Sequence, residues 1–157
     1  MQSAEVVLDN PFQKNARILI ELEVLDLVRT YRQLKTEDTE AGGILLGYRR
    51  LPHIHVIEAT APFRGDRRSR YEFDRRDRHH AAHALKRWKA SRGLIDCVGE
   101  WHTHPQVHPQ PSAQDTAEWR RILSPLASPR VFMVVGTMSE WFGVGLRSRV
   151  RVAPVTE

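Results

Sequence analysis

The sequence predicts a single α/β domain with a mixed β-sheet flanked by helices. Its 157 residues suit one domain, and its composition, 41% hydrophobic and 27% charged, is that of a globular protein with a substantial core. Short apolar runs alternate with segments of helical periodicity, but without the regularity of repeated βαβ units. Strands of both orientations are therefore expected in one sheet, across residues 1–157 as a single domain.

The N-terminal half is predicted to hold one helix and three strands. Leu22, Leu25 and Val28 recur at helical spacing. Two later apolar runs are joined by four residues ending in Pro52, which favours a hairpin. We expect a loose lead-in over 1–15, a strand over 16–20, a helix over 22–32, a loop over 36–40, and strands over 43–48 and 53–60.

The C-terminal half continues with strands and two more helices. Asp74 is a candidate cap for a long helix that Gly93 ends, and Ser112 is predicted to begin a helix that Pro125 stops. We expect a basic loop over 62–70, a brief strand over 71–73, a helix over 74–91, and strands over 94–102, 131–136 and 141–152, the last segment forming one strand or a pair.

Composition excludes several classes of protein. The single cysteine, Cys97, rules out a disulfide framework within the chain and zinc sites built from several thiolates, so a metal site must use histidine and carboxylate. No apolar run reaches the ~20 residues of a membrane helix, and the N-terminus lacks the pattern of a secretory signal. A cytoplasmic location without membrane association is therefore expected.

The net charge of +5 is concentrated in a basic segment, residues 64–78, which contains seven arginines. A basic protein can bind nucleic acid, but this segment has few interleaved aromatic residues besides Tyr71 and Phe73. A solvated loop explains the pattern more simply, and docking to an acidic patch on a protein substrate is a third reading. Nucleic acid is not the expected partner.

The most informative stretch runs from Gly99 to Asp115. His102 and His104 are two residues apart at the end of a predicted strand, so both imidazoles project from one face. Asp115 is a candidate third ligand, and two imidazoles with one carboxylate leave a zinc position open for water, as in catalytic sites. Ser112 and Asp115 also have the spacing of a helix capping box, and the two readings are compatible.

A second H-x-H shows that spacing alone does not identify a site. His53 and His55 repeat the pattern, and Asp66 follows at the same distance. This copy runs into the basic segment, whose arginines would repel a dication. We interpret His53 and His55 as ordinary strand residues and Asp66 as an arginine partner. His79 and His83 are interpreted as part of a polar helix face.

The pattern His102-x-His104-Pro105, followed by Ser112-x-x-Asp115, resembles the JAMM signature of the JAB/MPN metalloproteases. That family also carries an upstream glutamate in a segment E-x-x-G-I-L-x-G, and residues 40–47 match it. The resemblance spans nearly the whole chain. It implies an α/β fold resembling that of cytidine deaminase, one Zn²⁺ with a bound water per chain, and peptide or isopeptide hydrolysis.

The resemblance also implies roles for five residues. His102, His104 and Asp115 correspond to the zinc ligands, Ser112 to the hydroxyl that stabilises the oxyanion, and Glu40 to the general acid/base. Glu100, two residues before His102, is a local rival for the base, a partner that orients a histidine, or a salt-bridged strand residue. Glu40 is the stronger candidate because its surrounding motif matches.

The amino-acid sequences of these motifs are similar to those of stand-alone bacterial JAMM peptidases of CBASS anti-phage operons. That similarity implies a deconjugase that cuts between the C-terminus of a cyclic-nucleotide synthase and a target, after an E1/E2-like partner has joined them. Peptidases acting on a bacterial ubiquitin-like protein or a sulfur-carrier precursor are alternatives. A non-catalytic scaffold and a basic nucleic-acid-binding module are the alternatives of another class.

Overall fold

A computed structural model describes residues 5–157 of the chain and has the expected α/β architecture in one domain. The elements in chain order are β1 (Val6–Asp9), β2 (Arg17–Ile20), α1 (Leu22–Arg29), β3 (Gly42–Arg50), β4 (His53–Ala59), β5 (Arg67–Ser69), β6 (Glu72–Asp74), α2 (His79–Ala90), β7 (Ile95–Thr103), α3 (Ala113–Leu123), β8 (Arg130–Val135), β9 (Glu140–Leu146) and β10 (Arg149–Val152).

The predicted mixed sheet is confirmed. Eight strands pair in the order β1-β2-β4-β3-β7-β8-β9-β10, while β5 and β6 form a separate hairpin. The pairs β2–β4 and β7–β8 are parallel and the other pairs are antiparallel. Parallel neighbours need a long connection, and the connection from β7 to β8 contains α3. This connection brings α3 back to the end of β7.

The helices cover apolar surfaces of the sheet. Helix α1 buries Val24, Leu25 and Val28 in the largest core cluster, which also contains the central strand residues Leu45 and Trp101. Helix α3 buries Trp119 and Leu123 against β8, and α2 packs over a smaller cluster around Leu46. Trp101 is buried in the largest core cluster, and the partly buried Trp141 packs against the cluster around Trp119.

The N-terminal segment differs from the prediction. Residues 6–9 form an edge strand, β1, that pairs antiparallel with β2, whereas a loose lead-in was expected over 1–15. Leu8 is fully buried and bridges to Val155 near the C-terminus, so the short apolar run Val6–Leu8 is ordered as a strand by nonlocal pairing. The first four residues of that predicted lead-in lie outside the described residues.

Two helix predictions need correction. Helix α2 begins at His79 and is not capped by Asp74, which is the last residue of β6 and pairs with Arg67. Asp77 instead accepts a hydrogen bond from the His79 amide at the start of the helix. Helix α1 ends at Arg29, before the predicted end at residue 32. Within residues 5–157, no helix is long and apolar enough to cross a bilayer.

Candidate metal centre

The two histidines of the motif lie where β7 leaves the sheet. His102 is opposite Gly42 at the start of β3, so the register of β3 and β7 brings Glu40, just before β3, to the same sheet end. The amide of His104 donates to the carbonyl of Val135 at the end of β8. Backbone pairing on both sides therefore determines where the imidazoles project.

The side chains converge closely. The Nε2 atoms of His102 and His104 are 3.0 Å apart, and each is 3.2 Å from Oδ2 of Asp115. A carboxylate oxygen of Glu40 and one ring nitrogen from each histidine all lie within 4.8 Å of one another. The buried Glu40 thus approaches the histidine pair, and the group has the donor atoms of a metal site.

Asp115 reaches the histidines because of how helix α3 begins. Ser112 is the N-cap, and its hydroxyl oxygen accepts the amide of Asp115 at 3.0 Å. Oδ2 of Asp115 accepts the Ser112 amide at 2.8 Å, which completes a capping box. That same oxygen faces both imidazoles, so capping and a ligand geometry coexist in one carboxylate.

Electrostatics distinguish the two carboxylates of the site. Burial raises the pKa of Glu40 from 4.5 to about 7, although the nearby His102 and His104 oppose the rise. Burial would also raise the pKa of Asp115, but hydrogen bonds from both histidines and the Ser112 backbone hold it well below its usual range. His104 has a raised pKa because its contacts with Asp115 outweigh the effect of its burial.

An aromatic stack supports His102 from the side of α3. The ring of Trp119 is 6.0 Å from that of His102, and it stacks on Phe132 at 4.5 Å and on Trp141 at 5.7 Å. Trp119 is only 2% exposed. A ring with this packing leaves the His102 side chain little room to move, which favours a preorganised site.

Gln33 holds the segment that carries Glu40, a role that the sequence did not reveal. Its amide donates to the carbonyls of Asp38 and Arg70, at 3.2 and 2.8 Å. Its Oε1 accepts from the hydroxyl of Thr103, which in turn accepts the amide of Ala41. Thr103 lies between the two histidines, so this buried network ties the loop before β3 to β7.

A cavity of about 760 Å³ opens over the site. The hairpin β5–β6 and its continuation provide one wall through Tyr71, Phe73 and Arg75, and helix α3 provides another through Trp119 and Ile122. All five candidate site residues, including the buried Glu40, line this one groove.

Glu100 lies in the same groove but is engaged elsewhere. Its Oε2 accepts from Arg75 at 2.6 Å, so the carboxylate forms an ion pair with the basic segment. Glu100 is thus a salt-bridged strand residue, which is one of the three roles that the sequence analysis left open for it. Glu40, and not Glu100, has the carboxylate that approaches both histidines.

The remaining histidines have other partners. His53 accepts from the Arg17 amide, and His55 pairs with Glu21, consistent with strand residues. His79, His83 and His108 bond Asp77, Glu58 and Ser139. Cys97 is half-buried with its sulfur 3.2 Å from Arg130.

The prediction that Asp66 pairs with an arginine is wrong. Its carboxylate bonds His80 and the backbone amides of Phe63, Arg76 and Asp77. His80 is 2% exposed, in contrast to the neighbouring histidines of its helix. His80 lies one helical turn before Ala84, which packs against the sheet, and this i, i+4 spacing is a sequence signal that could have indicated its burial.

Comparison with known proteins identifies the family. A family model described as prokaryotic homologs of the JAB domain matches residues 24–147. A Pseudomonas aeruginosa protein named CD-NTase/cGAS isopeptidase is 46% identical over 98 residues, and the alignment spans 62% of each chain. A Vibrio cholerae protein of the same name is 34% identical over 97% of this chain and 96% of its own length.

The fold is also found in a solved structure. A solution structure of a Desulfitobacterium hafniense protein superposes with a TM-score of 0.62 at 18% identity, covering 87% of this chain and 90% of that protein. The likeness concerns the fold alone. Since the family match covers most of the residues and includes both motif segments, the chain belongs to the JAB-domain family as found in prokaryotes.

Proposed function

We propose that this protein is a zinc-dependent isopeptidase that removes a protein conjugated through its C-terminus. Its expected substrate is a cyclic-nucleotide synthase that an E1/E2-like operon partner has joined to a target in CBASS anti-phage defence. The observation that carries the proposal is the convergence of His102, His104 and Asp115 beside the buried Glu40. The isopeptidase names of the bacterial relatives support the substrate class.

The donor set suits zinc. Two imidazole nitrogens and a carboxylate oxygen, mutually separated by 3.0 to 3.2 Å, would hold the ion and leave a position open. The Asp115 carboxylate is ionised because its pKa lies well below the usual range, so zinc binding does not require Asp115 to lose a proton. When bound, zinc supplies Lewis acidity, which polarises a carbonyl and lowers the pKa of water.

Glu40 is proposed as the group that moves protons. Its carboxylate is buried and lies within 4.8 Å of a ring nitrogen of each histidine, so it can reach a water held beside them. The Glu40 carboxylate would accept a proton from the attacking water and return it to the leaving amine. The networks around Gln33 and the hairpin hold its backbone in place for this role.

Ser112 is proposed to stabilise the negative charge that develops on the substrate carbonyl. Its oxygen accepts the Asp115 amide, while its hydroxyl proton has no acceptor among the described residues. A preplaced hydroxyl can donate to an oxyanion without reorganising. The capping box holds the Ser112 hydroxyl at one position once the helix has formed, so little further conformational entropy is lost when it donates to the oxyanion.

The groove suits an extended C-terminal tail. Its walls combine apolar surface from Tyr71, Phe73 and Ile122 with charged groups at the base. A cavity of about 760 Å³ has room for a short extended peptide but not for a folded domain. This shape supports a substrate whose cleaved bond follows a protein's C-terminus.

The test uses purified protein and a synthase whose C-terminus is joined to a second protein. We expect cleavage at the synthase C-terminus, its loss on chelation, its recovery with zinc, and one zinc bound per chain. A parallel fusion of a bacterial ubiquitin-like protein tests the alternative substrate. Cleavage that survives chelation contradicts the zinc proposal, and a zinc-loaded protein that cuts neither fusion supports a scaffold.

A further inference from the structure

A buried chain of hydrogen bonds lies outside the metal centre and joins Thr60, His80 and Asp66. The Thr60 hydroxyl is 2.6 Å from His80 Nδ1, and His80 Nε2 is 2.6 Å from Asp66 Oδ2. His80 is 2% exposed, Thr60 is 5% exposed, and the Asp66 side chain has no exposed surface. Burying polar groups costs free energy, so this hydrogen-bond chain is a candidate for a functional role.

The donors and acceptors in this chain run in one direction. The amide of Ile44 donates to the Thr60 oxygen at 2.9 Å, so the Thr60 hydroxyl can donate to His80 Nδ1. A neutral His80 then carries its proton on Nε2 and donates it to Asp66. Every group in the chain is satisfied, and strand β3 is linked to Asp66 through helix α2.

Asp66 closes the base of the segment that carries the hairpin. Its Oδ2 also accepts the amide of Phe63, and its Oδ1 accepts the amides of Arg76 and Asp77, at 2.8, 3.0 and 2.9 Å. These amides lie on both sides of hairpin β5–β6. The single carboxylate therefore sets how the two ends of the segment meet, and His80 sets where the carboxylate lies.

The far end of the same segment contacts the candidate base. The carbonyl of Ser69 accepts the Glu40 amide at 2.7 Å, and Arg68 Nε donates to the Glu40 carbonyl at 2.7 Å. The Phe73 ring lies so close over Gly42 that a Cβ there would be 2.5 Å from it. The hairpin thus forms a groove wall and also grips the backbone at Glu40.

We propose that His80 is a positioning residue for the hydrolysis described above, acting through Asp66 to fix hairpin β5–β6. The inference rests on the proposed function. His80 touches no group of the metal centre, and its effect is to keep the groove wall and the backbone of Glu40 in the geometry that receives substrate. The wall is therefore built before substrate arrives, and the substrate does not have to order it.

Two substitutions by amide side chains of different length separate the two hydrogen bonds of His80. In His80→Gln, the amide nitrogen can replace Nε2 as the donor to Asp66. In His80→Asn, the shorter side chain can keep the Thr60 contact but cannot reach Asp66. We expect His80→Asn to raise KM roughly tenfold with a smaller change in kcat, because the buried Asp66 carboxylate loses the one side-chain donor among its four hydrogen bonds and the hairpin loosens. His80→Gln should retain a KM within about threefold of the unmodified protein.

Hydrogen exchange gives a readout that is independent of activity. In the zinc-loaded full chain, His80→Asn should speed exchange at the amides of residues 67–74 and 40 by roughly tenfold or more, with β8 amides unchanged. Asp66→Asn should reproduce this pattern if His80→Asn does not fold. Zinc content should stay at the level of the unmodified protein in each variant.

The outcomes separate this inference from the proposed function. If the unmodified zinc-loaded protein cleaves neither fusion, the proposed function fails, and the role of His80 in hydrolysis fails with it. If the protein is active but His80→Asn leaves KM and hairpin exchange unchanged, only the inference about His80 is overturned. Equal loss in the Gln and Asn variants, with exchange rising throughout the sheet, also overturns it, because His80 would then be only a packing residue.

Discussion

Replacing Glu40 by glutamine should abolish hydrolysis while making the metal-free fold more stable. The unfolded chain releases the Glu40 proton near 4.5, whereas the folded chain holds it until about 7. Between these values the folded state binds more protons, so stability falls as pH rises through this window. The difference in pKa of roughly 2.5 corresponds to about 3 kcal/mol at 1.36 kcal/mol per pKa unit. Glutamine carries no charge and avoids this loss.

The assay combines stability and activity for the same variant. Urea unfolding of chelator-treated protein should show Glu40→Gln and the unmodified chain converging near pH 5, and the variant more stable by up to about 3 kcal/mol at pH 8. With zinc, the variant should bind the ion and lose about 10²- to 10⁴-fold in kcat, the range for a general base.

Glu100→Gln is the matched control because Glu100 lines the same groove yet pairs with Arg75. It should retain activity within about tenfold, since a partly exposed ion pair contributes little free energy. An inactive Glu100→Gln beside an active Glu40→Gln would refute the choice of base. Parallel pH profiles of stability for Glu40→Gln and the unmodified chain would refute the assigned cost of burial.

Three other perturbations test separate parts of the structure. Ser112→Ala should retain zinc, lower kcat by about 10²- to 10³-fold, and cost about 1 kcal/mol in urea unfolding because α3 loses its cap; unchanged kcat would remove Ser112 from the reaction. Asp115→Asn should lose bound zinc in metal analysis, and stoichiometric zinc in this variant would contradict its role as a ligand. The pKa of Asp66 is lowered because hydrogen bonds from His80 and backbone amides outweigh the effect of burial. The ionised Asp66 carboxylate therefore stabilises the folded chain at neutral pH, and this stabilisation is lost as the pH falls below 3.8, the ordinary pKa of an aspartate. Thermal melts of Asp66→Asn should therefore show a lower Tm than the unmodified chain at pH 7 and a smaller difference near pH 3, whereas a constant difference would contradict the linkage.

Local sequence patterns predicted the elements that depend on local interactions. Helical spacing identified α1, the Ser112 cap identified the start of α3, and apolar runs identified the central strands. Errors arose where pairing is nonlocal. Residues 6–9 became a strand through partners in β2, and Asp74 ended a strand because Arg67 lies opposite it.

The candidate site shows the same division. His102 and His104 project together because a strand has a period of two, and Asp115 is ordered by a cap within its own helix. The H-x-H pattern at His53 has the same spacing, yet in the structure these histidines contact a backbone amide and Glu21. Spacing identified candidates, and the motif resemblance selected between them.

The α/β class, the exclusion of a zinc site built from several thiolates, and the five candidate site residues could all be predicted from the amino-acid sequence. The burial of Glu40 beside the histidines, the pairing of Glu100 with Arg75, and the contacts of Gln33 and His80 became evident only in the folded chain. The physical reason is that periodicity and capping act over a few residues, whereas a buried polar group finds its partners wherever the fold brings them. Those partners come from chain positions tens of residues apart, and no local pattern encodes them.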